Sequence, residues 1–139
     1  MKFSEAAEEV IRLADARRAY WDEELPKRYP DYPLIRTGES RPPPPPQDAE
    51  LRRHLSRLSD EVVYKLILTM YLGRDDFGVT FLEEHYADMK TTFPEAHIAA
   101  SQMAGKVPLG DYLRDGMARL KDAGIDLDSL PLETAVAQQ

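Results

Sequence analysis

Gly73-Arg74-Asp75-Asp76-Phe77 sets an arginine beside two adjacent carboxylates at the foot of an apolar run. Paired carboxylates offer hard oxygen donors to a cation such as magnesium, and a neighbouring guanidinium can steer a polar substrate. Arg74, Asp75 and Asp76 therefore form a candidate ligand or partner corner. The same residues also suit plain architecture. Arg74 can reach the last carbonyls of a helix, an Asp can accept from the N–H groups of a turn, and Phe77 can pin the corner into a core. A second set follows in Glu84, His85 and Asp88. Glu84 and Asp88 stand four apart and share a helical face, and His85 pairs with Asp88 three residues on. Such donors are metal-ligand types, but one helix supplies two or three ligands at best. The Glu-x-x-His element of di-iron bundles is missing, because Leu51, Leu82 and Pro94 stand three residues before His54, His85 and His97. The plainer account of this set is a solvated, acid-rich face.

No Gly-x-Ser-x-Gly, Walker loop, Gly-x-Gly-x-x-Gly or His-Glu-x-x-His occurs, so no catalytic residue is assigned and no cofactor is implied. The absence of cysteine removes disulfides, thiolate nucleophiles and Cys-type zinc sites together. A net charge of -7 over 139 residues argues against phosphate-backbone binding and against anionic membranes. The densest basic cluster, Arg52, Arg53 and Arg57, reads as a solvated helix surface. The N-terminal MKFSEAAEEV lacks the apolar stretch of a signal peptide, and a cytoplasmic location is the simplest expectation.

The elements that must position these residues are helices. Apolar residues recur at helical spacing throughout, and no alternation long enough for a sheet appears. A first helix is expected over about 5–24, with Ser4 as its N-cap, Arg17 and Arg18 in solvent, and Pro26 as its end. Residues 25–47 carry eight of the eleven prolines. The front half of this connection, with Tyr29, Tyr32, Leu34 and Ile35, is expected to lie over the domain. Pro42 to Pro46 should make a stiff polyproline II spacer, since Gln47 occupies the place where an Arg-x-x-Pro-x-x-Pro ligand needs proline.

Asp48 should cap a helix through Leu51, Leu55 and Leu58, and Ser59 the next. That next helix has Asp60 and Glu61 in its first turn, and between Val62 and Leu72 only Lys65 and Thr69, which share one face, are polar, so it reads as a buried rod. Gly73 is expected as its left-handed terminator. A Thr80/Glu83 capping box should start a helix with Phe81, Leu82, Tyr86 and Met89 inward. An alanine-rich helix follows (Ala96, Ala99, Ala100, Ala104). A last helix opens at Pro108 and stops at Gly124, weakened by Gly110 and Gly116. Residues 132–139 read as a frayed tail. The sum is an all-α fold: an irregular orthogonal array of about six helices in a single domain over 1–139, with a long Pro-rich connection after the first.

The stretch from Leu51 to Phe77, LRRHLSRLSDEVVYKLILTMYLGRDDF, resembles an uncharacterised bacterial family of small helical domains, a domain of unknown function. Its second apolar helix ends in a Leu-Gly-Arg-Gly-Asp-Phe motif. Leu72, Gly73, Arg74, Asp76 and Phe77 match, and Asp75 stands where the motif has its second glycine. The resemblance implies no activity. It draws attention to Arg74 and Asp76.

The expectation for function is a non-enzymatic helical domain that binds another protein or itself, without nucleic acid or membrane. Its grounds are the negative charge, the abundance of packing residues, the small-residue helix surfaces and the missing catalytic set. The alternative is a small-ligand-binding protein or enzyme using the Gly73–Phe77 corner. For stability, Leu66→Ala and Ile67→Ala are expected to be costly and Lys65→Ala nearly silent.

Overall fold

The structure is a computed structural model that describes residues 1–28, 30 and 44–129. Its helices are α1 (Phe3–Ala19), a π-helical turn (Tyr20–Glu24), α2 (Leu25–Arg28), α3 (Pro46–Ser56), α4 (Asp60–Gly73), α5 (Leu82–Thr92), α6 (Ala96–Ala104) and α7 (Leu109–Asp122). There is no strand among the described residues. Because α1, the π turn and α2 run on without a break, the described residues show the expected six helical segments of an all-α fold. The expected anchors Tyr29, Tyr32, Leu34 and Ile35, the start of the polyproline spacer and the tail 132–139 lie outside the described residues.

Pro26 does not end the first helix. Proline lacks the N–H that a helix interior needs, and its ring crowds the carbonyl four residues back. Here Leu25 N donates to Tyr20 O, five residues back. That wider turn directly precedes the proline and accommodates it, so the helix continues to Arg28.

The apolar rod is α4, and it is buried as expected: every residue from Val62 to Met70, and Leu72, is inside. Ser59 Oγ accepts from Val62 N at its start. α7 packs along α4 most extensively, α5 and α6 flank it, and α1 joins α3 and α7 on the other side. The core cluster draws on α1 and on α3 to α7.

The one polar face of α4 is also inside. Thr69 donates its hydroxyl to Lys65 O at 2.7 Å, which satisfies it within its own helix. Lys65 is only 5 % exposed. Its ammonium donates to Leu127 O at 2.6 Å and lies 3.0 Å from Glu61 Oε1. The expectation that Lys65→Ala is silent is therefore corrected. Its loss orphans a buried carbonyl and should cost about 2 kcal/mol, against about 3 kcal/mol for Leu66→Ala or Ile67→Ala. Urea denaturation of the three variants against wild type checks the order.

Ser4 is not the N-cap of α1; Lys2 is, with no side-chain bond of its own. Ser4 instead lies in the first turn. Its N and Oγ donate to the two oxygens of Asp128, at 2.9 and 2.5 Å. The far end of the described chain thus supplies the capping carboxylate. The Ser4 hydroxyl bond holds the Asp128 carboxyl below its usual value. Asp128→Ala should lose about 1 kcal/mol at neutral pH, the worth of an N-cap. A carboxyl with a lowered folded pKa stabilises above its unfolded pKa and loses that effect as pH falls through the folded value. The difference between wild type and Asp128→Ala, read by chemical denaturation, should accordingly shrink in acid.

Three further caps differ from expectation. Asp48 sits inside the first turn of α3, which starts at Pro46. The Thr80/Glu83 box does not form, because the N-cap of α5 is Phe81, in the left-handed region at φ 63. Gly73 is helical, and the left-handed residue after α4 is Asp75, at φ 68. Gly124, at φ 72, stops α7 as expected.

Candidate functional site

The corner after α4 is a helix cap in its backbone. Asp75 N donates to Leu72 O and Asp76 N to Tyr71 O, both at 3.1 Å. With Asp75 left-handed, this is the Schellman pattern, in which a residue at positive φ lets two N–H groups return to the last helical carbonyls. Position 75 is the place where the Leu-Gly-Arg-Gly-Asp-Phe motif carries glycine, the residue that adopts this backbone at least cost.

The side chains of the corner are parcelled out separately. Asp75 Oδ1 accepts from Arg119 Nη1 of α7 at 2.8 Å, and the same nitrogen donates to Leu72 O at 2.8 Å. Arg74 lies between the rings of Tyr71 and Tyr112, at 5.3 and 5.7 Å from their centroids. Its Nε is 3.7 Å from Asp76 Oδ2. Each carboxylate thus faces its own arginine, and the pair does not converge on a shared point where a cation or reacting group could sit. Arg119 was not singled out from sequence. Its signal was position alone, a base in the last turn of α7.

Glu84, His85 and Asp88 share α5, but their chemistry is not brought to a focus. His85 stacks on Phe77, with centroids 4.0 Å apart and planes 8° from parallel, which fastens the corner to α5. Among the described residues, no group of three or more His, Asp or Glu side chains is arranged to hold a metal ion.

A different place has the shape of a binding site. Between α3, α4 and α6 runs a groove of about 240 Å³. Leu55, Leu58, Val63, Ala96 and Ala100 make its apolar walls, and Arg52, Ser56, Asp60, His97 and Ser101 its rim. Its cause is local. Ala96 and Ala100 stand one helical turn apart on α6, so nothing larger than a methyl group fills the space toward Leu55 and Val63. A second cavity, of about 250 Å³, lies where Arg17, Trp21, Pro44, Pro45 and Asp48 meet the end of α6.

Arg17 also departs from its expected place. It was expected in solvent and is 5 % exposed. Its guanidinium donates to Asp48 Oδ1 at 2.8 Å, Ala104 O at 2.5 Å and Lys106 O at 2.9 Å. It therefore ties α1 to the first turn of α3 and to the C-terminal end of α6, where carbonyls gather negative partial charge. Arg18, its neighbour, is exposed as expected.

No family model, curated protein or solved structure matches this chain. No helix among the described residues is long and apolar enough to cross a membrane.

Proposed function

We propose that this chain is a non-enzymatic, cytoplasmic protein-interaction domain that receives an apolar side chain of a partner polypeptide in the α3/α4/α6 groove. The carrying observation is the groove itself: apolar walls from Leu55, Leu58, Val63, Ala96 and Ala100 inside a polar rim. That anatomy, an apolar centre ringed by polar groups, is the one that protein–protein hot spots use. About 240 Å³ suits one large side chain and falls below the usual span of small-ligand pockets.

The corner supports an architectural part in the same domain. Its arginines and carboxylates pair off one to one, and its backbone closes α4. The left-handed backbone at Asp75 supports the resemblance to the bacterial Leu-Gly-Arg-Gly-Asp-Phe family, which carries no activity with it.

The reading is tested by panning a displayed peptide library against the protein and against Ser101→Trp, which fills the mouth of the groove from an exposed position. Peptides enriched on the wild type should carry one large apolar residue, and their affinity should fall about tenfold or more on Ser101→Trp. A failure to enrich any peptide, or equal binding to both proteins, overturns the reading.

A further inference from the structure

Phe81 is the least expected side chain on the surface. It is 64 % exposed, although it directly precedes the buried Leu82. Its backbone is left-handed, at φ 63 and ψ 37. A bulky residue rarely adopts that region, and where it does the strain tends to mark a place where a side chain must point in one particular direction. Here the left-handed turn aims the ring outward while Leu82 goes into the core.

The ring stands in an acidic setting. Glu83 and Glu84 follow it, both exposed, while the neighbouring Asp75 and Asp76 are matched by Arg119 and Arg74, so the two glutamates carry the charge beside the ring. The lip of the groove contributed by α3 is the opposite. Arg52 lines it, held to Asp48 by a 2.9 Å bond, while the exposed Arg53 and Arg57 stand near it in the chain, outside the groove lining, and supply the unshared positive charge. Asp60 and Glu95 also lie at that end, the first in the opening turn of α4 and the second 3.6 Å from His97. The arginines remain the densest basic cluster on a chain of net charge -7.

Knob and groove are separated by the length of α5. Tyr64 Oη donates to Phe93 O at 2.6 Å, so the end of α5 sits beside the start of α4, where Asp60 and Val63 line the groove. The 11 residues of α5 separate that point from Phe81 by roughly 16 Å. A chain therefore cannot seat its own Phe81 in its own groove, but a second copy can.

We propose that the groove receives Phe81 of a second copy of this chain, giving a head-to-tail assembly in which the acid-flanked knob of one copy meets the arginine-bearing lip of the next. The proposal rests on the groove being a protein-docking site and names its occupant. Two copies of a chain this acidic repel overall, so the contact depends on this local complementarity and weakens as salt is raised. Because donor and acceptor surfaces differ, the contact is heterologous, and it extends beyond a dimer unless the rotation closes a ring.

Sedimentation velocity over a dilution series, with purified full chain, tests this. Wild type should show concentration-dependent association that grows past the dimer. Phe81→Asn keeps a residue that tolerates the left-handed backbone, so it should hold or raise the melting midpoint while weakening association by about tenfold or more. Ser101→Trp should weaken it likewise by blocking the groove. An equimolar mixture of the two variants joins the knob of one to the groove of the other. It should form a dimer and nothing larger, because that dimer retains neither a free knob nor an open groove.

A wild type that stays monomeric throughout, an association that Phe81→Asn leaves intact, or a mixture that never dimerises overturns the proposal. A displayed peptide that binds the groove while the wild type remains monomeric removes only the second copy as occupant and leaves the docking site standing.

Discussion

Gly73→Ala should cost about 4 kcal/mol, beyond the usual range for an overpacked site. The reason lies in the crossing of α4 and α7. A methyl group built on Gly73 would sit 1.8 Å from Tyr112 O and 2.9 Å from Gly116 N, both backbone atoms of α7. One turn earlier on α4 the relation inverts: a methyl group on Gly116 would sit 2.2 Å from Thr69 O. Thr69 and Gly73 are four apart, as are Tyr112 and Gly116, so each helix offers one small surface to the other. A clash with the far end of a side chain is relieved by a rotamer change. A clash with a carbonyl needs the whole helix to move, and α7 is the most extensive packing partner of α4. Gly116→Ala should be comparably damaging. Gly78→Ala is the matched control, since a methyl group there meets nothing within 4 Å, and it should leave the midpoint of thermal or urea unfolding in place. Equal midpoints for Gly73→Ala and Gly78→Ala would mean that the two helices do not touch this closely.

Arg17→Met should cost about 3–5 kcal/mol, the range for removing one partner of a buried charge pair. Methionine keeps much of the apolar stem and removes the charge. What it leaves behind is the Asp48 carboxylate with one cation fewer and two carbonyls, Ala104 O and Lys106 O, without their donor. Asp48 retains Arg52, whose Nε donates to Oδ2 at 2.9 Å from a half-exposed position, so the cost falls mainly on the buried carbonyls and the lost second cation. Burial is the largest single influence on the Asp48 carboxyl and pushes its pKa up. The bonds from Arg52 and Arg17 together outweigh it and hold the group below its usual value. Its contribution is thus present above the unfolded pKa and lost as pH falls through the folded one. Urea midpoints measured down a pH series should show wild type and Arg17→Met converging in acid. A constant gap across that series would show that the pair does not carry the effect.

The buried rod, the helical class and the Gly124 stop were legible because they depend on neighbours in the chain. An apolar run this long, without alternation and with Ser59 placed to cap it, is longer than a typical buried strand and reads as a core helix. The misplacements share one cause. Arg17 and Lys65 read as surface cations because charge is costly inside, and only a fold that delivers Asp48 and two carbonyls to one, and Leu127 O to the other, reverses that cost. Gly116 reads as a weak point of α7 until α4 is laid across it. Phe81 reads as a core residue from its spacing, and the left-handed backbone that turns it outward carries no signature in a phenylalanine. The candidate corner was legible as a helix end, but the separation of its two carboxylates between Arg74 and Arg119 was not, because Arg119 lies 44 residues beyond Asp75. The groove was half-visible in the Ala96/Ala100 pair. Which side of α6 would be left open was settled by where α3 and α4 meet it. Sequence alone set which segments coil and which of them avoid water, because those are local preferences. Tertiary structure decided which charges are buried, which glycines are indispensable and where the surface is hollow, because each of those depends on atoms that distant parts of the chain bring within a few ångströms.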